Sequence, residues 1–547
     1  LMKRRVLSLV LSLSLAAGLV GCAGKAASDS ASGKLSDQQI LRLTIPYPIK
    51  TFDHAVVHNS STLDILSNTG EGLMRLNQNH QPIPGMASRL TISPDQTVYT
   101  FTLRRAEWSD GKPVTAHDFE YAWKRILAPG THSPSAYLFY PIVNAESYHQ
   151  GEVKEDKVGI RALDDRTLEV RLKRQVRNFL SLAALTPFLP ARKDTIQSQG
   201  KSYGKDPTRM VYIGPFTISR VTEDGTVILS KNRRYWDEKN VRLEHVYFFV
   251  SNHATRQLNW YNADKIDVTS VEREFAEAYK KSPEFHQLQT ATTQYIRFNY
   301  KNPFFRNKKI RQAISYALNR GIIIDQLKNA AEPAGGLIPP SMKGYKSSFR
   351  QEAVMQAPEQ DVDKARQLFN EGLAELGLTK PPFRLIMLNY EDNRKELALE
   401  IKKQLQENLG LTLMLNTTSR ADKLQLENAG KFDLALSDWA ATYPDPAAFL
   451  ETFTSGHLMN TGKYSDAPFD ETMKRAFNSV LIDQQIRYLI QAEKFLIQDD
   501  QALVPLYYVT DSYLVKSHVK ELIRHPFGPR YTLKWVYILE SEESDDK

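Results

Sequence analysis

Cysteine is almost absent: Cys22 is the single one in 547 residues. No disulfide can form within the chain, so the folded body depends on the size of its core. The motifs that would announce an enzyme are missing too. There is no Gly-x-Ser-x-Gly elbow, no His-Glu-x-x-His helix, no Gly-x-x-x-x-Gly-Lys phosphate loop and no dinucleotide fingerprint. The 12 histidines are scattered singly. His58, His117 and His253 find no second ligand at helical or hairpin spacing, so they read as solvated or packed side chains and no metal or cofactor is expected. Long basic runs are lacking as well. The net charge is +8 and the pI about 9.1, but Lys and Arg interleave with Asp and Glu along the chain. That pattern suits an exported protein facing an anionic envelope better than a nucleic-acid binder, and no nucleic-acid partner is expected.

What is present is a large soluble composition, 41% hydrophobic and 10% aromatic, at a length that suggests about three domains. Lys3, Arg4 and Arg5 precede an apolar run from Val6 to Val20, closed by Leu19-Val20-Gly21-Cys22. The run is short for a transmembrane helix and has the layout of a secretory signal. Its last four residues resemble the lipobox of bacterial lipoproteins, which implies a signal peptide over 1–21 and a lipidated Cys22. Residues 22–39, rich in Ala, Ser, Gly and Lys, read as a flexible tether. The acidic tail 541–547 reads as disordered.

Between these ends the periodicities alternate. Leu41, Leu43 and Ile45 have the spacing of a strand, as do Tyr99, Phe101 and Leu103, and Leu168, Val170 and Leu172. Trp108-Ser109-Asp110-Gly111 reads as a turn. Thr115-Ala116-His117-Asp118 has capping-box spacing, with Phe119, Trp123 and Ile126 on one helical face behind it. Val246 to Val250 is continuously apolar and predicts a strand buried on both faces. In the second half, Ile310 to Leu318 predicts a helix ending near Gly321. Ala365 to Leu376 predicts one stopped by Gly377. Phe383, Leu385 and Met387, then Leu397, Ile401 and Leu405, then Leu411, Leu413 and Leu415 follow as strand, helix and strand, the order of a parallel α/β unit. Helices through Phe469 and Ile486 and a strand at Val504, Leu506 and Tyr508 complete it.

The most informative stretch runs from Phe432 to Leu450. Phe432, Leu434 and Leu436 alternate as a half-buried strand, and the pattern is expected to stop before Trp439. Tyr443, Pro444 and Pro446 then build a rigid aromatic loop, since each proline lacks an N–H and restricts its neighbour. Such a loop at the carboxyl end of a strand is where open α/β sheets bind ligands.

Taken in order, several segments are similar to one family. They are Glu71-Gly72-Leu73, Tyr99 to Arg104, Trp108 to Ala116, Asp118 to Trp123, Phe304 to Ala317, Trp439 to Leu450, Met459-Asn460-Thr461 and Val504 to Tyr508. The chain resembles an extracytoplasmic solute-binding protein of the oligopeptide-binding family, the receptors of peptide ABC importers. The resemblance implies an α/β, two-lobed, periplasmic-binding-protein-like fold with two hinge strands and an extra domain inserted in the first lobe. Lobe I would comprise 40–70, 195–294 and 512–540, the insertion 71–194, and lobe II 295–511. It implies no enzyme, but a monomeric receptor that encloses an oligopeptide and passes it to a permease and ATPase complex. The protein would be held in the cell envelope by lipid on Cys22, at the outer face of the cytoplasmic membrane or, in a two-membrane bacterium, on the periplasmic side. The implied ligand-lining set is Trp439, Thr442, Tyr443, Asp445, Asp438, His58, Ser60, Ser135, Asn460 and Tyr508.

Two departures from the family pattern matter. Thr442 stands where many members carry an aspartate that pairs with the peptide's α-amino group, and Ser135 stands where a tyrosine is common. A neutral Thr442 predicts weak discrimination between free and N-acetylated peptides unless another carboxylate, Asp438 or Asp445, compensates. Ligands without a free amine therefore stay open: an N-blocked, cell-wall or signalling peptide, a metal chelate or a sugar. A surface hydrolase on a lipoprotein scaffold is a further alternative, weakened by the missing motifs.

Overall fold

The computed structural model describes residues 33–57, 59–327, 331–354, 356–391 and 394–540. Cys22, the signal segment, His58 and the acidic tail lie outside the described residues. From Gly33 onward the segment read as tether is already held. Leu35 bridges to Leu539 and the backbone N–H of Ser36 donates to the Ile538 carbonyl.

The first strand, β1 (Ile40–Ile45), buries Leu41, Leu43 and Ile45 and leaves the residues between half-buried, following its period of two. Helix α1 (Ser60–Thr69) is capped by the Asn59 side chain, which accepts from the Thr62 N–H at 2.9 Å. A four-stranded antiparallel sheet follows, in the order β2 (Ala87–Ile92), β3 (Val98–Leu103), β5 (Thr167–Arg171), β4 (Ile160–Asp164). Helix α2 (Ala116–Leu127) packs on it with Phe119, Trp123 and Ile126 fully buried, and Asp118 returns a bond to the Thr115 N–H at 2.9 Å, completing the capping box. Gly111 supplies the turn before it at φ +87°.

Next come β6 (Phe216–Val221), β7 (Val227–Lys231) and β8 (His245–Val250), which extend β1 into a second sheet, with β8 parallel to β1. Here the expectation of a doubly buried strand fails. Val246 and Phe248 are buried, but Tyr247 and Phe249 stack on each other at 5.9 Å on the half-open face. A continuous apolar run arises because aromatic bodies can line a partly covered face, not because both faces are sealed.

The largest sheet is spanned by two long strands, β10 (Phe285–Phe298) and β14 (Leu503–Val515), with the short β9 (Val268–Ser270) beside β14. Phe285 to Gln289 pair with Thr510 to Leu514 at one end, and Thr293 to Arg297 pair with Leu503 to Tyr508 at the other. The ladder slips between Gln289 and Thr293, where an irregular strand pair can bend. The two ends of these strands enter different apolar cores. Leu514 packs with Leu258 and Ile266, whereas Ile296, Phe298, Val504 and Leu506 join a core with Leu385, Leu397 and Leu434.

That second core holds the predicted α/β unit. Helix α3 (Lys308–Ala317) ends at Ala317, not near Gly321; Asn319 caps a new helix, α4 (Arg320–Asp325), which contains Gly321. After α5 (Val362–Glu375) comes β11 (Leu385–Tyr390), preceded by an exposed Phe383 that the sequence had placed within the strand. Then come α6 (Arg394–Leu409), β12 (Leu413–Thr418), α7 (Arg420–Asn428) and β13 (Leu434–Ala440). Strands β12 and β13 flank β11 on opposite sides, both parallel to it. The chain therefore changes direction across β11, which opens a crevice at the strands' carboxyl ends. Among the described residues no helix is long and apolar enough to cross a membrane.

Candidate functional site

Strand β13 lies between β10 and β11, so Leu434, Ala435, Leu436 and Ser437 are buried on both faces. It does not stop before Trp439. Trp439 pairs with Thr293 and Ala440 with Thr292 across the antiparallel ladder with β10. An aromatic residue is as good a ladder member as a β-branched one, and the pairing runs on to Ala440, ahead of the prolines. The Trp439 indole is fixed by donating to the Ala448 carbonyl at 2.8 Å, in the short helix α8 (Ala447–Leu450) into which the loop leads. One Asp445 carboxylate oxygen caps that helix through the Ala447 N–H at 2.8 Å. The other accepts from the Asn178 amide at 2.7 Å.

Asn178 lies far from the loop in sequence, in the segment that follows β5, so this bond spans a cleft. Others do the same. Thr442 lies beside the Tyr137 hydroxyl, and the Tyr137 ring meets His457 edge-on at 5.9 Å. Tyr443 packs against both the core of the α2 domain and the core around Phe449 and Phe453. The Arg174 guanidinium donates to the Phe477 carbonyl at 3.2 Å and covers the Phe477 ring at 4.2 Å. Gly528, at φ +66°, brings the C-terminal segment against the Thr442 carbonyl; a Cβ there would lie 3.1 Å from that oxygen. Tyr137, Arg174, Thr442, Tyr443 and Glu451 are enclosed by protein yet keep accessible surface, as the lining of an internal space does.

Electrostatics sets this lining apart. Burial raises the Tyr137 and Tyr443 phenols above their ordinary range, with the Glu451 charge adding to it. Glu451 accepts the Tyr443 hydroxyl at 2.8 Å. Burial, and then the neighbouring Asp445, push the Glu451 carboxyl up to about 7, against the lowering pull of Tyr443 and Arg174. Among the described residues neither Asp445 nor Glu451 forms an ion pair.

The remaining expected residues divide. Asp438 points away from Trp439, as alternation along a strand requires, and accepts from Tyr390 at 2.5 Å with Arg394 at 3.4 Å. Ser135 sits half-buried beside Tyr137, and Ser60 is exposed at the start of α1. Asn460 is buried and bonded to its own loop: its amide donates to Phe453, Thr454 and Tyr464 carbonyls, and its oxygen accepts from the Tyr464 N–H. The Tyr508 hydroxyl exchanges bonds with the Gly336 N–H and carbonyl at 3.0 and 3.1 Å. These two side chains therefore spend their polar atoms inside the protein. Tyr137, Arg174, Asn178 and Glu451 were not singled out from the sequence. Glu451 alone had a signal, a carboxylate between the apolar residues Phe449, Leu450 and Phe453.

Two lobes carried on a shared pair of long strands, closing over a loop at the carboxyl end of a central strand, define a periplasmic-binding-protein-type receptor. The model of the bacterial extracellular solute-binding proteins, family 5 Middle, matches residues 81–460, and the chain belongs to that family, one of binding proteins and not of enzymes. It is 31% identical over 535 residues to the dipeptide-binding protein DppE of Bacillus subtilis, covering 96% of this chain and 97% of DppE. It superimposes with a TM-score of 0.85 and 33% identity on the substrate-binding domain of an oligopeptide ABC transporter from Bacillus anthracis, covering 93% and 100% of the two chains. For Listeria monocytogenes OppA bound to peptide the values are 0.82 and 33%, over 92% and 99%. The murein tripeptide binding protein MppA of Escherichia coli gives 0.82 at 25% identity over 93% and 100%. The unliganded open form of MppA gives only 0.69, at 26% over 93% and 99%. The chain therefore superimposes less well on that open form, and hydrogen bonds such as Asn178 to Asp445 span the cleft here.

Proposed function

We propose that this protein is a lipid-anchored extracytoplasmic receptor that binds oligopeptides between its two lobes and delivers them to an ABC importer. The observation that carries the reading is the cleft between the loop Trp439–Asp445 and the face bearing Tyr137, Arg174 and Asn178. It is lined by aromatic walls and hydrogen-bonding groups, in a chain whose full-length relatives are named for dipeptides and oligopeptides. Lobe I comprises residues 40–70, 195–294 and 512–540, the inserted domain 71–194, and lobe II 295–511. The ligand's extended backbone adds to strand edges in the cleft, which gives affinity with little sequence preference, while hydrated pockets accept its side chains. The ligand stabilises the closed arrangement because only there can it touch both lobes.

Purification from the native host followed by mass spectrometry of the released ligand tests the class of molecule bound. Peptides of a few residues are expected; a sugar or a metal chelate would replace the peptide reading. Adding back the recovered peptide should change Trp439 fluorescence and shrink the radius measured by small-angle scattering. Tight binding with neither change would rule out closure around the ligand. Anchoring is tested separately. Cys22→Ser should fold normally but leave the membrane fraction, and retention on membranes after a high-salt wash would show that Cys22 is not the anchor.

A further inference from the structure

A groove lies outside the cleft, where three stretches of chain distant in sequence meet. The turn after Leu76 is held by the Asn77 side chain, which accepts from the Asn79 and Gln81 N–H groups at 2.9 and 3.0 Å, and it presents Gln78 to the groove. The segment Lys239 to Arg242 forms a second side, and the C-terminal segment bearing Trp535 and Tyr537 forms the third. The space encloses about 690 Å³, within the range of small-molecule sites. Its charges are uneven. Lys239 and Arg242 are exposed and, among the described residues, in no ion pair; the Arg242 guanidinium lies over the Tyr537 ring at 4.6 Å. Glu521 is the one acid of the lining. The charges that flank the groove are spent on one another: Arg233 on Glu238 and Glu244 at 3.1 and 2.6 Å, Lys534 on Asp237 at 2.7 Å, and Lys34 on Glu540 at 2.7 Å.

Two cations on an aromatic wall, with one acid opposite, suit an anion that also carries carbon to cover the rings. A guanidinium meets phosphate oxygens in pairs, and Trp and Tyr side chains are favoured at the level of lipid headgroups. A broad attraction of anions to this face is not the cause, because the residues that follow Glu540 add Glu542, Glu543, Asp545 and Asp546. Contact inside the groove has to supply the affinity. We propose that this groove is a ligand site separate from the cleft, seating a glycerophosphate group with its phosphate on Arg242 and Lys239 and its carbons against Trp535 and Tyr537. Such a group has two sources, a phospholipid headgroup and a free glycerophosphate. The route of the chain favours the headgroup. Gly33, Leu35 and Leu539 also line the groove, and ten residues, Ala23 to Ser32, separate Gly33 from Cys22. A chain of that length reaches at most about 40 Å. On the anchored reading of Cys22 the groove therefore stays beside the bilayer, at a local headgroup concentration on the order of millimolar or above. Even a weak site is then filled, and it sets which side of the receptor faces the membrane.

The test uses the full mature chain carrying Cys22→Ser, so that no lipid of its own intervenes. Titration with glycerol phosphate at physiological salt, followed by NMR, should give a dissociation constant in the millimolar range, and glycerol alone should not bind. Lys239→Ala together with Arg242→Ala should weaken binding about twentyfold, roughly fivefold for each charge, with the urea unfolding midpoint unchanged. Absence of binding by the parent chain, or equal binding by the double variant, overturns the site. Vesicles then separate the sources. Those containing phosphatidylglycerol should sediment more protein than vesicles of phosphatidylcholine alone, and added glycerol phosphate should reduce the excess. Equal sedimentation on both overturns the headgroup and leaves the free glycerophosphate as the ligand. Should the double variant misfold, Lys239→Gln alone is read instead: about a fivefold loss is expected, and no loss overturns the assignment. A protein that proves not to be anchored through Cys22 loses the argument for a lipid source but keeps the titration result, so the two readings fail separately.

Discussion

Glu427 and Glu451 are both enclosed by protein, yet their charges are handled in opposite ways. Glu427 accepts from Arg297 at 2.8 Å, from Lys423, from Thr461 at 3.0 Å and from Ser437 at 3.3 Å. Burial works to raise its pKa, but Arg297 and Lys423 outweigh it and hold the carboxyl below its ordinary range. Glu451 has one hydroxyl partner and a carboxylate neighbour, and its carboxyl rises to about 7. The first arrangement is complete in itself, tying α7 to β10 and the Thr461 loop. The second is incomplete until something closes over it. A buried acid with its cations built in serves the fold, and one without them is available to a ligand.

The contrast can be broken most strongly at Glu427. Glu427→Gln leaves Arg297 and Lys423 buried without a counter-charge, so unfolding in urea should show a loss of about 3–5 kcal/mol. Glu451→Gln leaves no cation stranded and should cost far less, or stabilise the closed protein at alkaline pH.

The pH dependence sharpens the comparison because the two signs differ. Glu427 is depressed in the folded state, so its contribution is present above the ordinary carboxylate range and is lost as pH falls through its folded value. Glu451 is raised, so the closed form binds a proton more strongly than the open or unfolded one. Its penalty grows as pH rises from the ordinary 4.5 through about 7. The closed fraction of ligand-free protein, followed by scattering between pH 5 and 8, should therefore fall with pH in wild type and stay nearly flat in Glu451→Gln.

Smaller effects are expected at the neutral donors. Asn178→Ala removes a bond to a carboxylate across the cleft, an interaction of about 1.5–3 kcal/mol. Calorimetry should show roughly tenfold weaker ligand binding, with the urea midpoint little changed. Thr442→Asp adds a carboxylate beside Tyr137. It should tighten binding of free-amine peptides by about 1 kcal/mol without helping N-acetylated ones.

Much of the scaffold was legible because its causes are local. The alternation of Leu41, Leu43 and Ile45, the Thr115 to Asp118 capping box, the turn at Gly111 and the strand, helix, strand order from Leu385 to Leu415 depend on neighbours a few residues away. The readings that failed were those that needed knowledge of what lies on the far side. Tyr247 and Phe249 form an apolar run on a half-open face. Trp439 continues a ladder because β10 is there to pair with it.

By itself the sequence determined the family pattern, the α/β character and the loop at the end of β13 as the place to look. Only the tertiary structure decided which groups face each other there. Tyr137, Arg174 and Asn178 arrive from a separately cored domain. Asp438 and Asp445 are near neighbours in sequence, yet one is bound to Tyr390 and Arg394 and the other to Asn178. Glu451 is an unremarkable acid until the inserted domain covers it. An ionisation constant depends on solvent exclusion and on charges within a few ångströms, and at Glu451 the sequence neighbours Tyr443 and Asp445 act together with Arg174, which arrives from hundreds of positions away along the chain.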